Sequence, residues 1–266
     1  MMMQIVQPES DTALIRGNPD PEFGDLFANY HQHFTVVTVN NSKLLDQVYR
    51  LRHQVYCVEK RFEDPDEHLD GRETDEHDDI SKHILLLHKK SGAAVGTARI
   101  IIPHLGTAWR PLPIQQVLES KFRQEFERLP IQRTAEISRF AVSKEFRRWW
   151  RETHCAAADS CPPGGSNEQQ LMRYITFGLL HHIVQLSIEH GIAYLSAVME
   201  PSLIRMCAKL GLEFEPIGGL VEYHGIRQPC VAILADLIER SRDRLTPLWQ
   251  FVSFREPFPP HPSAVQ

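Results

Sequence analysis

Thr134-Ala-Glu-Ile-Ser-Arg-Phe-Ala-Val142 reads as one β-strand. Ala135 and Ile137 alternate with Glu136 and Ser138, the period of a strand with one apolar face, and an apolar run from Phe140 to Val142 follows. Two opposite charges, Glu136 and Arg139, interrupt it. A strand inside a sheet avoids charge unless the charge is paired or used. This strand is therefore expected to be central and to carry chemistry. A basic run, Lys144, Arg147, Arg148 and Arg151, comes directly after it.

Upstream, His83-Ile-Leu-Leu-Leu-His88 and Ala94-Val-Gly-Thr-Ala-Arg-Ile-Ile-Ile102 flank the turn Lys89-Lys-Ser-Gly92 and predict a hairpin, with Arg99 inside the returning strand and Pro103 ending it. A helix with a charged outer face is expected over 114–128. Further back, Phe34 to Val39 is β-branched and predicts a strand. Asn41 or Ser42 caps a helix whose one face carries Leu44, Val48, Leu51 and Val55. Arg52 and Tyr56 lie one turn apart beside that face. Residues 61–79 are strongly acidic, and most of their carboxylates read as a solvated loop.

Downstream, 152–167 is a loop by composition, and a long helix spans about 168–190 with Leu171, Ile175, Leu179, Ile183 and Leu186 as its inner face. Gly191 closes it, and Ala193 to Met199 is a strand. A short helix from Pro201 to Gly211 and strands over 212–223 and 228–235, joined at His224-Gly225, complete the order. The expected architecture is α/β (α+β): a mixed, mostly antiparallel central sheet flanked by helices on both faces, with a strand–helix–strand unit at its middle. Residues 1–30 read as an arm, 31–255 as a single domain and 256–266 as a Pro-rich tail.

Composition narrows the function classes. With 42% apolar and 24% charged residues the chain is an ordinary globular protein, and its net charge of −5 argues against general nucleic-acid binding. No stretch is apolar enough for a membrane span, and residues 1–24 hold no secretory h-region. Five scattered cysteines suit reduced thiols in a cytoplasmic protein. Cys155 and Cys161 fit no standard zinc spacing, so no metal is expected.

The element order resembles the GNAT acyltransferase fold. Leu51-Arg52-His-Gln-Val-Tyr56, Phe62, Asp75-Glu-His-Asp78, Gly96-Thr-Ala-Arg99 and Glu136-Ile-Ser-Arg139-Phe together resemble the signature of autoinducer (acyl-homoserine lactone) synthases. Arg52 to Lys60, Ile137 to Arg148 and Tyr223 to Pro229 are more similar to a sister group, the acyltransferases associated with the PEP-CTERM/exosortase system, related to long-chain N-acyl amino acid synthases. That resemblance implies acyl transfer from an acyl carrier protein thioester to the amine of an amino acid or related small molecule. The donor would be an acyl-phosphopantetheine, with a coenzyme A thioester possible and no bound cofactor. The product would be a lipid that associates with membranes.

Such a reaction must deprotonate an ammonium, polarise a thioester carbonyl and shelter an acyl chain. Glu136 is the candidate base, with Arg139 and Arg99 completing the catalytic set. Backbone N–H groups near 140–143 could polarise the carbonyl if the strand bulges there. Asp75 and Asp78 are expected to pair with Arg52 and Arg99 and to hold the substrate ammonium; Tyr56, Phe62, Phe140 and Val142 complete the substrate side. Lys144, Arg147, Arg148 and Arg151 form a basic patch suited to an acidic carrier protein. Leu171, Ile175, Leu179, Leu195, Val198 and Met199 are candidate acyl-chain lining and core by their spacing. The His181-His182 pair reads as packing. A coenzyme A-dependent acetyltransferase and a non-catalytic acyl-ligand-binding protein are the alternatives. The first lacks its usual glycine-rich loop here, where Ser143-Lys-Glu-Phe-Arg-Arg148 stands.

Overall fold

The computed structural model describes residues 28–103, 110–154, 167–209 and 211–243. Eight strands form one sheet: β1 (Phe34–Thr38), β2 (Ser81–His88), β3 (Ala94–Ile101), β4 (Thr134–Val142), β5 (Tyr194–Met199), β6 (Glu215–Pro216), β7 (Val221–Glu222) and β8 (Ile226–Ile233). They lie in the order β1-β2-β3-β4-β5-β8-β6, with β7 also on β8. Every pairing is antiparallel except β4 with β5. That parallel pair is joined through α4 (Lys144–His154) and α5 (Asn167–Glu189), so Thr134–Val142 is the central strand the sequence predicts.

Strand alternation assigns the two faces. Ile84 and Leu86 of β2 enter the main core, where Leu171, Ile175, Leu179, Ile183 and Leu186 of α5 meet Phe146 and Trp150 of α4. Leu85 points the other way, to Val48, Leu51 and Val55 from α1 (Ser42–Arg52) and the turn after it. A third cluster on that second face joins Ile80 and Ile101 to Leu112, Ile114 and Phe126. Asn41 caps α1 by accepting from the Leu44 N–H at 2.9 Å. His181 is buried and His182 bonds the Thr38 hydroxyl at 2.9 Å, so both are packing groups. Leu171, Ile175, Leu179, Leu195 and Met199 sit in the main core, while Val198 packs on the opposite cluster, so these residues do not form one acyl tunnel.

Several elements differ from their sequence reading. The helix expected over 114–128 is two, α2 (Pro113–Val117) and α3 (Ser120–Phe126), because Leu118 turns extended and buries its side chain. The strand expected over 212–223 shrinks to β6 and β7, separated by Gly218 at φ 83 and Gly219. The short helix expected from Pro201 is α6 (Pro201–Lys209), and the segment after β8 is a further helix, α7 (Leu234–Asp243), whose Leu234 and Leu237 join the main core. The helix carrying Arg52 continues as a π-helix, His53–Glu59. Cys155, Cys161 and the tail lie outside the described residues; Cys57, Cys207 and Cys230 are buried free thiols.

Candidate active site

Arg139 adopts φ 49, a conformation costly for a residue with a side chain, and marks a β-bulge. Arg99 pairs with Ser138 and Thr97 with Ala141, so Ala98 alone faces both Arg139 and Phe140. The extra residue reverses the alternation. Ala135 and Ile137 lie on the main-core face before the bulge, and Phe140 and Val142 lie on it afterwards. The side chains of Phe140 and Val142 therefore pack away from the face that carries Arg99 and Glu136. Only the Phe140 carbonyl reaches the other group, accepting from the Tyr56 hydroxyl at 3.2 Å. Beyond Ile137, β4 has no registered partner on β5, so the two parallel strands part at the bulge.

Arg139 is thereby turned toward the acidic loop. Its guanidinium donates to Glu73 at 2.9 Å and lies 3.1 Å from Asp75 and 3.4 Å from Glu63. Arg52 donates to Glu73 at 2.5 Å and to Asp78 at 2.6 Å. Arg99 donates to Ser138 at 2.9 Å, to Asp78 at 2.6 Å and to both carboxylate oxygens of Asp75. The expected pairing of Asp75 and Asp78 with Arg52 and Arg99 is present, although Arg52 reaches Asp75 only at 3.9 Å. Arg52, Arg99 and Glu73 are each 1% exposed or less. Charges so buried persist only as a mutually paired set.

Glu73 was read as one of the solvated loop carboxylates, and the structure places it at the centre of the cluster. Asp64, Asp66, Glu67, Asp70, Glu76 and Asp79 do face water. Burial raises the Glu73 pKa, but the Arg52 hydrogen bond and the Arg139 charge pull it down to about 2. Asp75 is also held well below the carboxylate range: burial opposes this, and Arg99 prevails. A pKa lowered on folding contributes stability above the ordinary value of 4.5 that is lost as pH falls through about 2. Acid titration followed by circular dichroism should show stability falling across that window. His83, 3.7 Å from Asp78, is driven down to about 4 by burial, so at neutral pH this contact is no ion pair.

Glu136 behaves in the opposite way. It is 2% exposed and accepts a hydrogen bond from the Ile114 N–H at 2.9 Å. Among the described residues no arginine forms an ion pair with it, so Arg99 is not its direct partner. Burial pushes its pKa up to about 8, against the Ile114 hydrogen bond and the more distant charges of Arg99 and Arg139. A buried carboxylate poised near neutrality is a group able to take and release protons.

Residues 51–151 match the family model described as Acetyltransferase (GNAT) domain. The fold is GNAT-like. Every candidate site residue from Arg52 to Arg151 lies inside the matched span. Three solved structures share the architecture. TofI, in a ternary complex with an inhibitor and MTA, is 17% identical, with TM-score 0.54 over 79% of this chain and 96% of that one. FeeM, an N-acyl amino acid synthase from uncultured soil microbes, is 16% identical, with TM-score 0.51 over 78% and 94%. MesI, a CoA-dependent acyl-homoserine lactone synthase, is 18% identical, with TM-score 0.51 over 85% and 97%. No curated protein matches the chain.

Around the cluster, the sheet brings in residues from its C-terminal strands. Phe62 packs near Tyr56, with ring centroids 6.4 Å apart, under the Arg227 guanidinium at 4.9 Å and the Lys60 ammonium at 5.1 Å. His224 bonds the Phe62 carbonyl at 3.1 Å and lies 3.6 Å from Glu63. Glu63, His224 and Arg227 were not among the candidate site residues; the only signal for the last two is their place in Tyr223 to Pro229, quoted above for its resemblance. Lys144, Arg147, Arg148 and Arg151 are exposed along α4, and Phe146 and Trp150 anchor its other side. An open cleft of about 420 Å³ is lined by Leu45, Tyr49, Thr74, Asp75, Glu76, Asp78, Asp79 and Arg110; Glu136 does not line it. No group of side chains suited to a metal is present among the described residues. No described helix is long and apolar enough to cross a membrane.

Proposed function

We propose that the protein is an N-acyltransferase that moves a fatty acyl group from an acyl carrier protein thioester to the amine of an amino acid or related small molecule. The observation that carries this reading is Glu136: a buried carboxylate with a pKa near 8, on the central strand just before its neighbours part. In the proposed reaction Glu136 takes a proton from the substrate ammonium, directly or through water. The freed amine attacks the thioester carbonyl, the C–N bond forms as the C–S bond breaks, and the carrier thiolate leaves and takes up the second proton lost from nitrogen. The bulge at Arg139 supports a polarising role for backbone N–H groups that follow it. Asp75 and Asp78, held by Arg52 and Arg99, border an open cleft and supply the negative charge an ammonium needs.

FeeM is an N-acyl amino acid synthase and MesI a CoA-dependent acyl-homoserine lactone synthase; both fit transfer to an amine, and they differ from each other in kind of product. The resemblance to the exosortase-associated group favours a lipid product over a lactone. The test is to express the chain in a bacterium, extract lipids and look by mass spectrometry for N-acyl amino acids, with Glu136→Gln as control. Purified protein is then assayed with acyl carrier protein and coenzyme A thioesters. Absence of any N-acyl product in cells and with both donors would sink the reading.

The basic face of α4 supports the carrier-protein donor. Charge reversal at Arg147 and Arg148 together is expected to raise KM for acyl carrier protein by about tenfold at low salt, to flatten its salt dependence and to leave the melting temperature unchanged. Unaltered carrier-protein kinetics would remove α4 from donor docking.

A further inference from the structure

A helix that begins directly after a central strand presents unpaired backbone N–H groups and the positive end of its dipole, a seat for an anion. In α4 that seat is already taken. Ser143 N–H donates to the Val95 carbonyl at 2.9 Å and Phe146 N–H to the Ser143 hydroxyl at 3.0 Å. The two remaining N–H groups, of Lys144 and Glu145, donate to the two carboxylate oxygens of Glu59 at 3.1 and 3.3 Å.

Glu59 is distant in sequence and is brought there by a specific device. It ends the π-helix His53–Glu59, whose wider turn is closed by Lys60 N–H to the Val55 carbonyl at 3.0 Å. The Gln54 amide lies 3.1 Å from Glu59, 3.2 Å from the Ser143 hydroxyl and 2.7 Å from Glu145, tying the carboxylate to the helix start. Glu59 is half-buried, whereas the cations Lys144, Arg147 and Arg148 are exposed. The chain thus sets its own negative charge at the one point of α4 where backbone donors converge.

We propose that Glu59 is a donor-selecting residue: its carboxylate occupies, as an internal anion, the helix-terminal seat that a nucleotide diphosphate would need, and so disfavours coenzyme A thioesters against donors that bring no diphosphate there. This rests on the reading of the chain as an acyl-thioester transferase. A diphosphate approaching α4 meets a like charge at contact distance and finds no unpaired N–H. A carrier-held donor brings a single phosphodiester on a protein whose acidic surface meets the exposed arginines.

The test uses free coenzyme A and inorganic pyrophosphate, titrated calorimetrically at low salt into the full-length wild type, E59Q and E59A. E59Q removes the charge and keeps the side-chain shape; E59A also empties the seat. Both ligands are expected to bind E59Q about tenfold more tightly than wild type, because one like-charge contact is removed, and E59A at least as tightly as E59Q. In the assay, the ratio of kcat/KM for acyl-coenzyme A over acyl carrier protein rises in parallel. Equal affinity of wild type and both variants for these ligands, whether measurable or absent throughout, overturns the proposal. The titrations need no turnover. Failure to find any N-acyl product would remove the proposed function and still leave this question decided by the binding data.

Discussion

Glu136→Gln is expected to lower kcat for acyl transfer by about 10²–10⁴-fold, the usual contribution of a positioned general base. Glutamine keeps the shape and can still accept from the Ile114 N–H, so the loss reports proton transfer. The wild-type rate should rise with pH, pass through half its plateau near 8, where the Glu136 carboxyl ionises, and level off above that, and this limb should vanish in the variant. The same substitution has a stability consequence of opposite sign. Because folding raises this pKa from 4.5 to about 8, the folded state holds a proton the unfolded chain gives up. Its contribution is therefore full below 4.5 and lost as pH rises through about 8. The loss across that window is of order 4 kcal/mol, and the glutamine variant should not show it. Denaturant titrations of both proteins at pH 5 and pH 8.5 measure the difference. A variant as active as wild type, with an unchanged pH profile, would exclude Glu136 as the base.

Glu73→Gln is expected to be the most destabilising single change in the site. It removes the carboxylate shared by Arg52, fully buried, and Arg139, leaving Asp78 to the first and Asp75 and Glu63 to the second. Removing one member of a buried ion cluster costs about 3–5 kcal/mol, because the desolvated charges that remain are under-compensated. The urea midpoint should fall while the slope stays constant. Activity should fall as well, since Arg139 is positioned by Glu73 at the bulge. Replacing Arg52 and Glu73 together by methionine should cost less than Glu73→Gln alone, because one cation leaves with one anion and the charge balance of the cluster is kept. A loss below about 1 kcal/mol for Glu73→Gln would mean that water reaches the cluster and that its apparent burial is not maintained in solution.

The pattern of residues was enough for the central strand, the hairpin, the long helix and the architecture. These rest on local periodicity, and period 2 or 3.6 survives in the chain whatever it packs against. Arg99, Glu136 and Arg139 were legible because charge within apolar runs must be compensated; Arg52, Asp75 and Asp78 joined them only through the resemblance to autoinducer synthases. Glu73 was not legible. Its neighbours Arg72 and Thr74 are polar and exposed, and nothing local separates it from the solvated carboxylates around it. The short strands β6 and β7 depend on pairing with β8, and the break between α2 and α3 on burying Leu118; both are tertiary effects.

The opening strand shows the division most clearly. Thr134–Val142 could be recognised as central, charged and unusual from its residues alone. The bulge could not, because it needs the pairing partner: Ala98 of β3 stands opposite both Arg139 and Phe140. That one extra residue turns Arg139 to the Glu73 side and sends Phe140 and Val142 to the core. Glu136 likewise was a charge without a known state, since burial and nearby arginines push its pKa in opposite directions. Only the folded chain, with the Ile114 N–H beside it and no arginine ion-paired with it among the described residues, lets burial prevail and sets the proton affinity near neutrality.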